Sequence, residues 1–128
     1  MAIQLINPDG LAEPQGYTQV AVATGSRMVF VAGQVGQDAD GTVAGDLAAQ
    51  TAQALRNVGI ALEAAGATFG DVAKTTVYVA GASHETQSAV WQVVRSSPIG
   101  AAPSTLVGVP ILGYRGQLVE IEAIALLD

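Results

Sequence analysis

The spacing of apolar residues along the first half of the chain predicts two strands followed by a helix. Residues 19–24 and 27–32 are short β-prone runs on either side of a Gly-Ser dipeptide, a pattern typical of a β-hairpin. Residues 33–45 hold four glycines and predict a turn-rich connection. From residue 46 to 65 apolar residues recur at three- and four-residue steps, which predicts an amphipathic helix capped by Asp46 and ended by Gly66.

The second half of the chain alternates strand and helix patterns. Residues 71–80 are rich in β-branched side chains and predict a strand, and a helix is predicted from Ser83 or His84 to about residue 96. Two further strands are predicted at residues 104–109 and 117–127, separated by a turn at residues 114–116. This order predicts one α+β domain over residues 1–128, in which two helices pack on a mixed sheet in two layers.

The last predicted strand is apolar on one face and half apolar on the other. Because side chains alternate along a strand, this pattern indicates burial on both sides. The helices can cover one side, and we expect another subunit to cover the other. The wholly apolar face consists of Val119, Ile121, Ala123 and Ala125, and the other face consists of Leu118, Glu120, Glu122, Ile124 and Leu126.

Charge and composition exclude several classes of protein. The net charge is −6 and the five basic residues are scattered singly, so no nucleic-acid partner is expected. The chain has no cysteine and one histidine, so we expect neither a metal site nor a cofactor. The N-terminal segment does not have a signal-peptide pattern, and no long apolar run spans a membrane. A cytoplasmic location without membrane contact is therefore expected.

Five short stretches of the sequence can be compared with known family motifs: residues 16–19 (GYTQ), 29–35 (VFVAGQV), 49–66, 71–79 (DVAKTTVYV) and 118–125 (LVEIEAIA). In this order they resemble motifs of the RidA superfamily of reactive-intermediate deaminases. Each motif alone is a weak signal, but five in the same order make chance similarity improbable. The similarity runs from about Gly16 to Leu126.

The resemblance implies a chorismate-mutase-like fold and a homotrimer whose sheets form a central barrel. Clefts that bind small-molecule metabolites would then lie between neighbouring subunits. Members of the superfamily with deaminase activity hydrolyse reactive enamines and imines, such as 2-aminoacrylate, to ketoacids and ammonia. In them an arginine holds the substrate carboxylate, and a glutamate-bound water attacks the imine carbon.

Three residues of this chain match cleft positions of the superfamily. Glu120 matches the cleft glutamate, and a carboxylate in a partly buried interface can orient or deprotonate water. Tyr17 matches a tyrosine that lines the cleft, and Gly33 matches a glycine whose backbone approaches the ligand. Each also has a structural interpretation: a rim carboxylate, an interface-packing tyrosine and a strand-end turn.

The sequence departs from the superfamily where deaminases carry their carboxylate-binding arginine. Pro103 stands at that position and supplies neither a charge nor a backbone donor, so this chain resembles a divergent member without the anchor. Ser104 and Thr105 can offer donors to an anion, or can simply begin a strand. Arg115 lies in a turn that can reach a cleft or can remain solvated.

Three functional hypotheses follow. The first is an enzyme that hydrolyses an enamine, an imine or a related C–N compound without a carboxylate-anchoring arginine. The second is a non-catalytic trimer that binds a small metabolite in the same cleft. The third is an RNA-cleaving or translation-inhibiting protein, an activity sometimes attached to this superfamily, which the negative charge and the scattered basic residues disfavour.

Overall fold

The computed structural model describes residues 2–128, which form strands and helices in the order β-β-β-α-β-α-β-β. No helix within this range is long and apolar enough to cross a membrane. A 3-10 turn at Phe69–Asp71 leads into the fourth strand. The elements are β1 (Ala2–Ile6), β2 (Val20–Thr24), β3 (Arg27–Val35), α1 (Leu47–Ala64), β4 (Val72–Ala80), α2 (His84–Arg95), β5 (Ser104–Val109) and β6 (Val119–Leu127).

A four-stranded sheet in the order β3-β6-β4-β5 is the centre of the fold. Strand β6 pairs antiparallel with both β3 and β4, whereas β4 and β5 are parallel and are joined through α2. Helix α1 packs on β3 and β6, and α2 lies beside α1 and contacts β4 and β5. The predicted α+β arrangement of two helices on a mixed sheet is therefore confirmed.

The predicted hairpin between residues 19–24 and 27–32 is wrong. Both runs are strands, but β2 pairs with β1, an N-terminal strand that the sequence did not indicate, and β3 pairs with β6. The Ser26 N–H donates to the Leu127 carbonyl at 2.9 Å, and a Cβ at Gly25 would lie 2.6 Å from the same oxygen. The Gly25-Ser26 corner therefore packs against the end of β6. At this corner the chain passes from a two-stranded sheet, β1-β2, to the four-stranded sheet.

The helix boundaries follow the local signals in the sequence. The Asp46 carboxylate accepts a hydrogen bond from the Ala49 N–H at 2.8 Å and caps α1. Gly66 follows the helix with φ +81°, a backbone conformation that favours glycine. Ser83 caps α2 by accepting from the Thr86 N–H at 3.1 Å, so the predicted start of this helix is confirmed.

The side chains of strand β6 alternate between a buried face and an open face of the sheet, as its sequence predicts. On the side under the helices, Val119, Ile121 and Ala125 are fully buried in a core that also includes Val58 and Leu62 of α1. No element within residues 2–128 forms a second helical layer on the opposite face. There the side chains of Met28 and Phe30 are 59% and 68% exposed, and they lie in register with Leu126 and Ile124.

The packing of α1 on the sheet generates a stability prediction. Leu62 is 1% exposed and Ile60, on the same helix, is 65% exposed. We expect Leu62→Ala to lower the free energy of unfolding by about 2–5 kcal/mol, because it leaves a cavity in the core. The control Ile60→Ala should change it by less than about 0.5 kcal/mol. Urea unfolding at one protein concentration measures both, and equal effects would contradict the assignment of the core.

Candidate functional site

The Glu120 carboxylate lies against the backbone of β3 on the open face of the sheet. The β3–β6 register shifts between Val31 and Gln34, and Gly33 occupies this irregularity. A Cβ at Gly33 would lie 2.5 Å from the Glu120 Cδ and 2.6 Å from its Oε2. The close approach therefore requires a glycine, and the structure brings together two of the residues that the sequence predicted for the site.

A buried amide, Gln117, holds the Glu120 carboxylate from the other side. Its Nε2 donates to Glu120 Oε1 at 3.3 Å and to the Val119 carbonyl at 3.1 Å. Its Oε1 accepts from the Tyr114 N–H at 3.1 Å, which ties the preceding turn to the same amide. Gln117 is only 4% exposed. No sequence pattern predicts this role, because a glutamine before an apolar strand is ordinary.

Helix α1 fixes the residues on both sides of Gln117 through a second buried amide. Gln50 Nε2 donates to the Gly116 carbonyl at 2.9 Å, and Gln50 Oε1 accepts from the Leu118 N–H at 2.8 Å. Gln50 is 1% exposed. In the sequence, Gln50 is only a polar residue beside the apolar face of the predicted helix. Two amides thus connect the helical layer to the carboxylate on the opposite face.

Tyr17, Ser104 and Thr105 line a groove of about 410 Å³ beside β5, the edge strand of the sheet. The Tyr17 ring packs edge-to-face on Trp91, with ring centroids 6.1 Å apart and an interplanar angle of 69°. The Trp91 Nε1–H donates to the Gln15 carbonyl at 2.6 Å and holds the N-terminal loop over α2. Trp91, whose helical spacing predicts a core residue, is half-buried and forms one wall. We call this the Tyr17 groove.

The backbone of β5 leaves hydrogen-bond donors in this groove. The Pro103 carbonyl accepts from the Thr75 N–H of β4 at 3.0 Å, and the Val109 carbonyl accepts from the N–H of Gly81, just after β4, at 3.2 Å. Since alternate residues of a strand face the same neighbour, the backbone groups of Ser104 and Leu106 point to the free edge. Their N–H groups are placed to bind an anion or a polarised oxygen.

The two hydroxyls predicted as ligand donors are engaged within the chain. Thr75 Oγ1 donates to Ser104 Oγ at 2.8 Å, and Lys74 Nζ donates to Thr105 Oγ1 at 2.7 Å. Pro103 immediately precedes β5, where a residue without an N–H is tolerated. In both contacts the hydroxyls of Ser104 and Thr105 accept, so their O–H groups can still donate to a ligand beside the backbone donors of this segment.

Arg115 lies outside the Tyr17 groove. Its side chain is exposed and borders a separate surface groove of about 600 Å³, formed by residues 80–81 and 110–118. Gln117 also borders that groove. The structure does not bring Arg115 together with Ser104 and Thr105.

Strand register separates Glu120 from the Tyr17 groove within one chain. Glu120 pairs with Tyr78 on β4, and Tyr78 pairs with Val107 on β5. Ser104 is therefore two strands away and three residues along, or about 10 Å in each direction. Such a separation is too large for one small imine to contact both groups directly. Glu120 and the Tyr17 groove of the same chain thus do not form one small-molecule site.

A second polar pair lies beside Glu120 on the open face. The Tyr78 hydroxyl donates to Glu122 Oε1 at 2.9 Å. This hydrogen bond raises the pKa of Tyr78 above its usual 10.0, and burial and the charges of Glu122 and Glu120 raise it further. Within residues 2–128, no group of three or more His, Asp or Glu side chains is arranged to hold a metal ion.

The fold and this site define a class of α+β proteins in which two helices cover one face of a mixed sheet and the other face is open. The chain matches the endoribonuclease L-PSP family over residues 9–127 and belongs to that family, so the RidA resemblance of its motifs is confirmed. The structure of the Rid family protein YyfB from Yersinia pestis has a TM-score of 0.91 and 34% identity, and the match covers 99% of this chain and all of YyfB.

Two relatives of known family extend this comparison. The human 2-iminobutanoate/2-iminopropanoate deaminase is 32% identical over 114 residues, which cover 86% of this chain and 79% of the human protein. A RutC family protein of Pyrococcus abyssi is 33% identical over 128 residues, or 98% of each chain. The chain is therefore similar along most of its length to a deaminase and to a RutC family protein.

The Tyr78–Glu122 pair generates a pH prediction. A raised pKa means that the folded state favours the protonated phenol, so this contribution to stability is complete below pH 10.0 and is lost as the pH rises through the raised pKa. We expect Glu122→Gln to return the pKa of Tyr78 toward 10.0, because the amide removes the negative charge. Ultraviolet absorbance of tyrosinate measures the titration, and Tyr78→Phe identifies its component. An unchanged midpoint in Glu122→Gln would contradict this assignment.

Proposed function

We propose that the protein is a homotrimeric hydrolase of small imines or enamines, with its clefts between subunits. The observation that carries this proposal is the separation of Glu120 from the Tyr17 groove within one chain. In a symmetric oligomer, Glu120 of one subunit can face the groove of its neighbour. A complete cleft would then contain a water-activating carboxylate, an aromatic wall and the backbone donors of β5.

The apolar side chains exposed on the open face of the sheet support assembly of subunits through that face. Phe30 and Met28 are more than half exposed in the single chain, and Ile124 and Leu126 lie next to them. An apolar patch of this kind on a sheet is typical of a subunit interface. Three such sheets facing inward would form a central barrel and would bury the apolar rows of β3 and β6.

In the proposed reaction, Glu120 accepts a proton from a water molecule whose oxygen attacks the imine carbon. The C–O bond forms as the C=N π electrons move to nitrogen, and protonated Glu120 returns the proton to that nitrogen to give a carbinolamine. Glu120 then accepts the hydroxyl proton and passes it to the amine nitrogen, so the C–N bond breaks and a carbonyl compound and ammonia are released. Gln117 orients the carboxylate, and Tyr17 and Trp91 pack on the planar substrate.

Pro103 distinguishes this cleft from that of a deaminase with an arginine at the same position. A guanidinium would bind a carboxylate in a bidentate manner, and proline offers no such contact. The proposal therefore favours substrates without a carboxylate attached directly to the imine carbon. The same feature favours the second hypothesis, a trimer that binds a metabolite without converting it.

The basic residues do not support an RNA substrate. Arg27 donates to the Asp128 carbonyl, Arg56 to Gln53 and Lys74 to Thr105, so these three cations lie on different elements and have partners within the chain. A net charge of −6 opposes binding to a phosphate backbone. Nuclease activity with a strong salt dependence of RNA binding would reverse this conclusion.

The proposed interface predicts a change in oligomeric state. We expect Phe30→Glu to dissociate the trimer, because it would place three carboxylates in an apolar contact. Light scattering coupled to size exclusion measures the mass, and circular dichroism checks that the variant is folded. The matched control is Ile60→Glu on α1, at a similarly exposed residue outside the sheet. A monomeric wild-type protein, or a trimeric Phe30→Glu variant, would contradict the arrangement.

The proposed chemistry predicts loss of turnover without loss of binding. We expect Glu120→Gln to lower ammonia release by at least about 100-fold, because the amide cannot accept the proton of water. The assay uses 2-aminoacrylate and a panel of neutral imines. Glu63→Gln, an exposed carboxylate on α1, is the control. If the wild type binds these compounds or their ketone products but releases no ammonia above the uncatalysed rate, the non-catalytic hypothesis is correct.

A further inference from the structure

A second groove continues the Tyr17 groove along α2. It has a volume of about 330 Å³ and borders three residues that also line the Tyr17 groove: Gln15, Trp91 and Leu106. The two grooves therefore form one trough between α2 and the free edge of β5. The remaining lining residues of the second groove are His84, Gln87, Ser88, Gln92 and Arg95.

Arg95 supplies a cation to the wall of this trough. It lies four residues after Trp91 on α2, or about 6 Å further along the helix axis, on the same side. Its side chain is exposed, and within residues 2–128 it has neither a hydrogen bond nor a carboxylate at ion-pair distance. Arg27, Arg56 and Lys74, by contrast, donate to partners within the chain.

The backbone at Gly16 confines the Arg95 side chain. A Cβ at Gly16 would lie 2.7 Å from Arg95 Nε and 2.9 Å from Arg95 Cβ, so the loop crosses directly over the arginine. Gly16 also has φ +100°, which favours glycine. The same loop carries Gln15 and Tyr17, which line the trough. The guanidinium is thus held beside the trough by the segment that forms its wall.

We propose that Arg95 is an anion anchor of this protein, and that its ligands carry a carboxylate several bonds away from the reacting carbon. This inference rests on the proposed function, because it assigns the substrate class of the same cleft. Pro103 leaves the start of β5 without a cation, whereas Arg95 offers a bidentate donor on α2, the other wall of the trough. A substrate with a neutral reacting end and a distal acid fits both features.

Binding of a simple dicarboxylate tests the anchor without any need for turnover. The probe is glutarate, compared with glutaramide, and isothermal titration calorimetry measures binding to the intact protein. We expect the wild type to prefer glutarate, Arg95→Gln to bind it at least about tenfold more weakly, and Arg95→Lys to retain part of the affinity. Arg56→Gln, an exposed arginine on α1, should bind as the wild type does.

Three results would overturn the inference: no glutarate binding by the wild type at millimolar concentration, equal affinity for glutaramide, or unchanged glutarate affinity in Arg95→Gln.

A second test moves the cation from α2 to the start of β5. Pro103→Arg in the Arg95→Gln background should restore acid binding with a preference for pyruvate over glutarate, and a continued preference for glutarate would also count against Arg95. Glutarate binding without ammonia release from any imine would refute the hydrolase and leave the anchor standing.

Discussion

The burial of one face of β6 under the helical layer, chiefly α1, is the constraint on which the rest of this structure depends. Strand β6 lies between β3 and β4, and its alternate residues fill the core against α1. Because side chains alternate along a strand, this burial forces Glu120 and Glu122 onto the opposite face. A shift of one residue in register would place the carboxylates in the core and the apolar residues outside. The packing that stabilises the fold therefore also displays the acidic residues.

The displayed carboxylates are held by groups that come from several elements. Gly33 lets β3 approach Glu120, Gln117 donates to its Oε1, and Gln50 of α1 fixes the backbone around Gln117. Buried amides with partners for their polar atoms form ordered networks, because an unpaired polar group in the interior is costly. Glu120 is thus connected to the core through two side chains rather than left on a mobile surface.

The edge of the sheet has a different chemical character from its centre. Strand β5 presents backbone groups beside an aromatic pair, and Arg95 lines the trough along α2. The uncharged Pro103 immediately precedes this edge strand. A cation on α2 instead of β5 would change the length of the acid that a ligand must carry while keeping the aromatic wall and the carboxylate. Members of the family could then differ in substrate with few substitutions in the sheet.

Local sequence patterns determined the helices, most of the strands, the two faces of β6 and the family, because periodicity, capping residues and short motifs are properties of neighbouring positions. They also predicted Glu120, Tyr17 and Gly33 as site residues from the resemblance of the motifs, and these assignments stay predictions. Only the tertiary structure decided that β2 pairs with β1, that Gln50 and Gln117 support Glu120, and that Arg95 lies beside Tyr17 and Trp91. These contacts join residues far apart in the chain, and a strand pattern specifies which face is buried without specifying its partner strand.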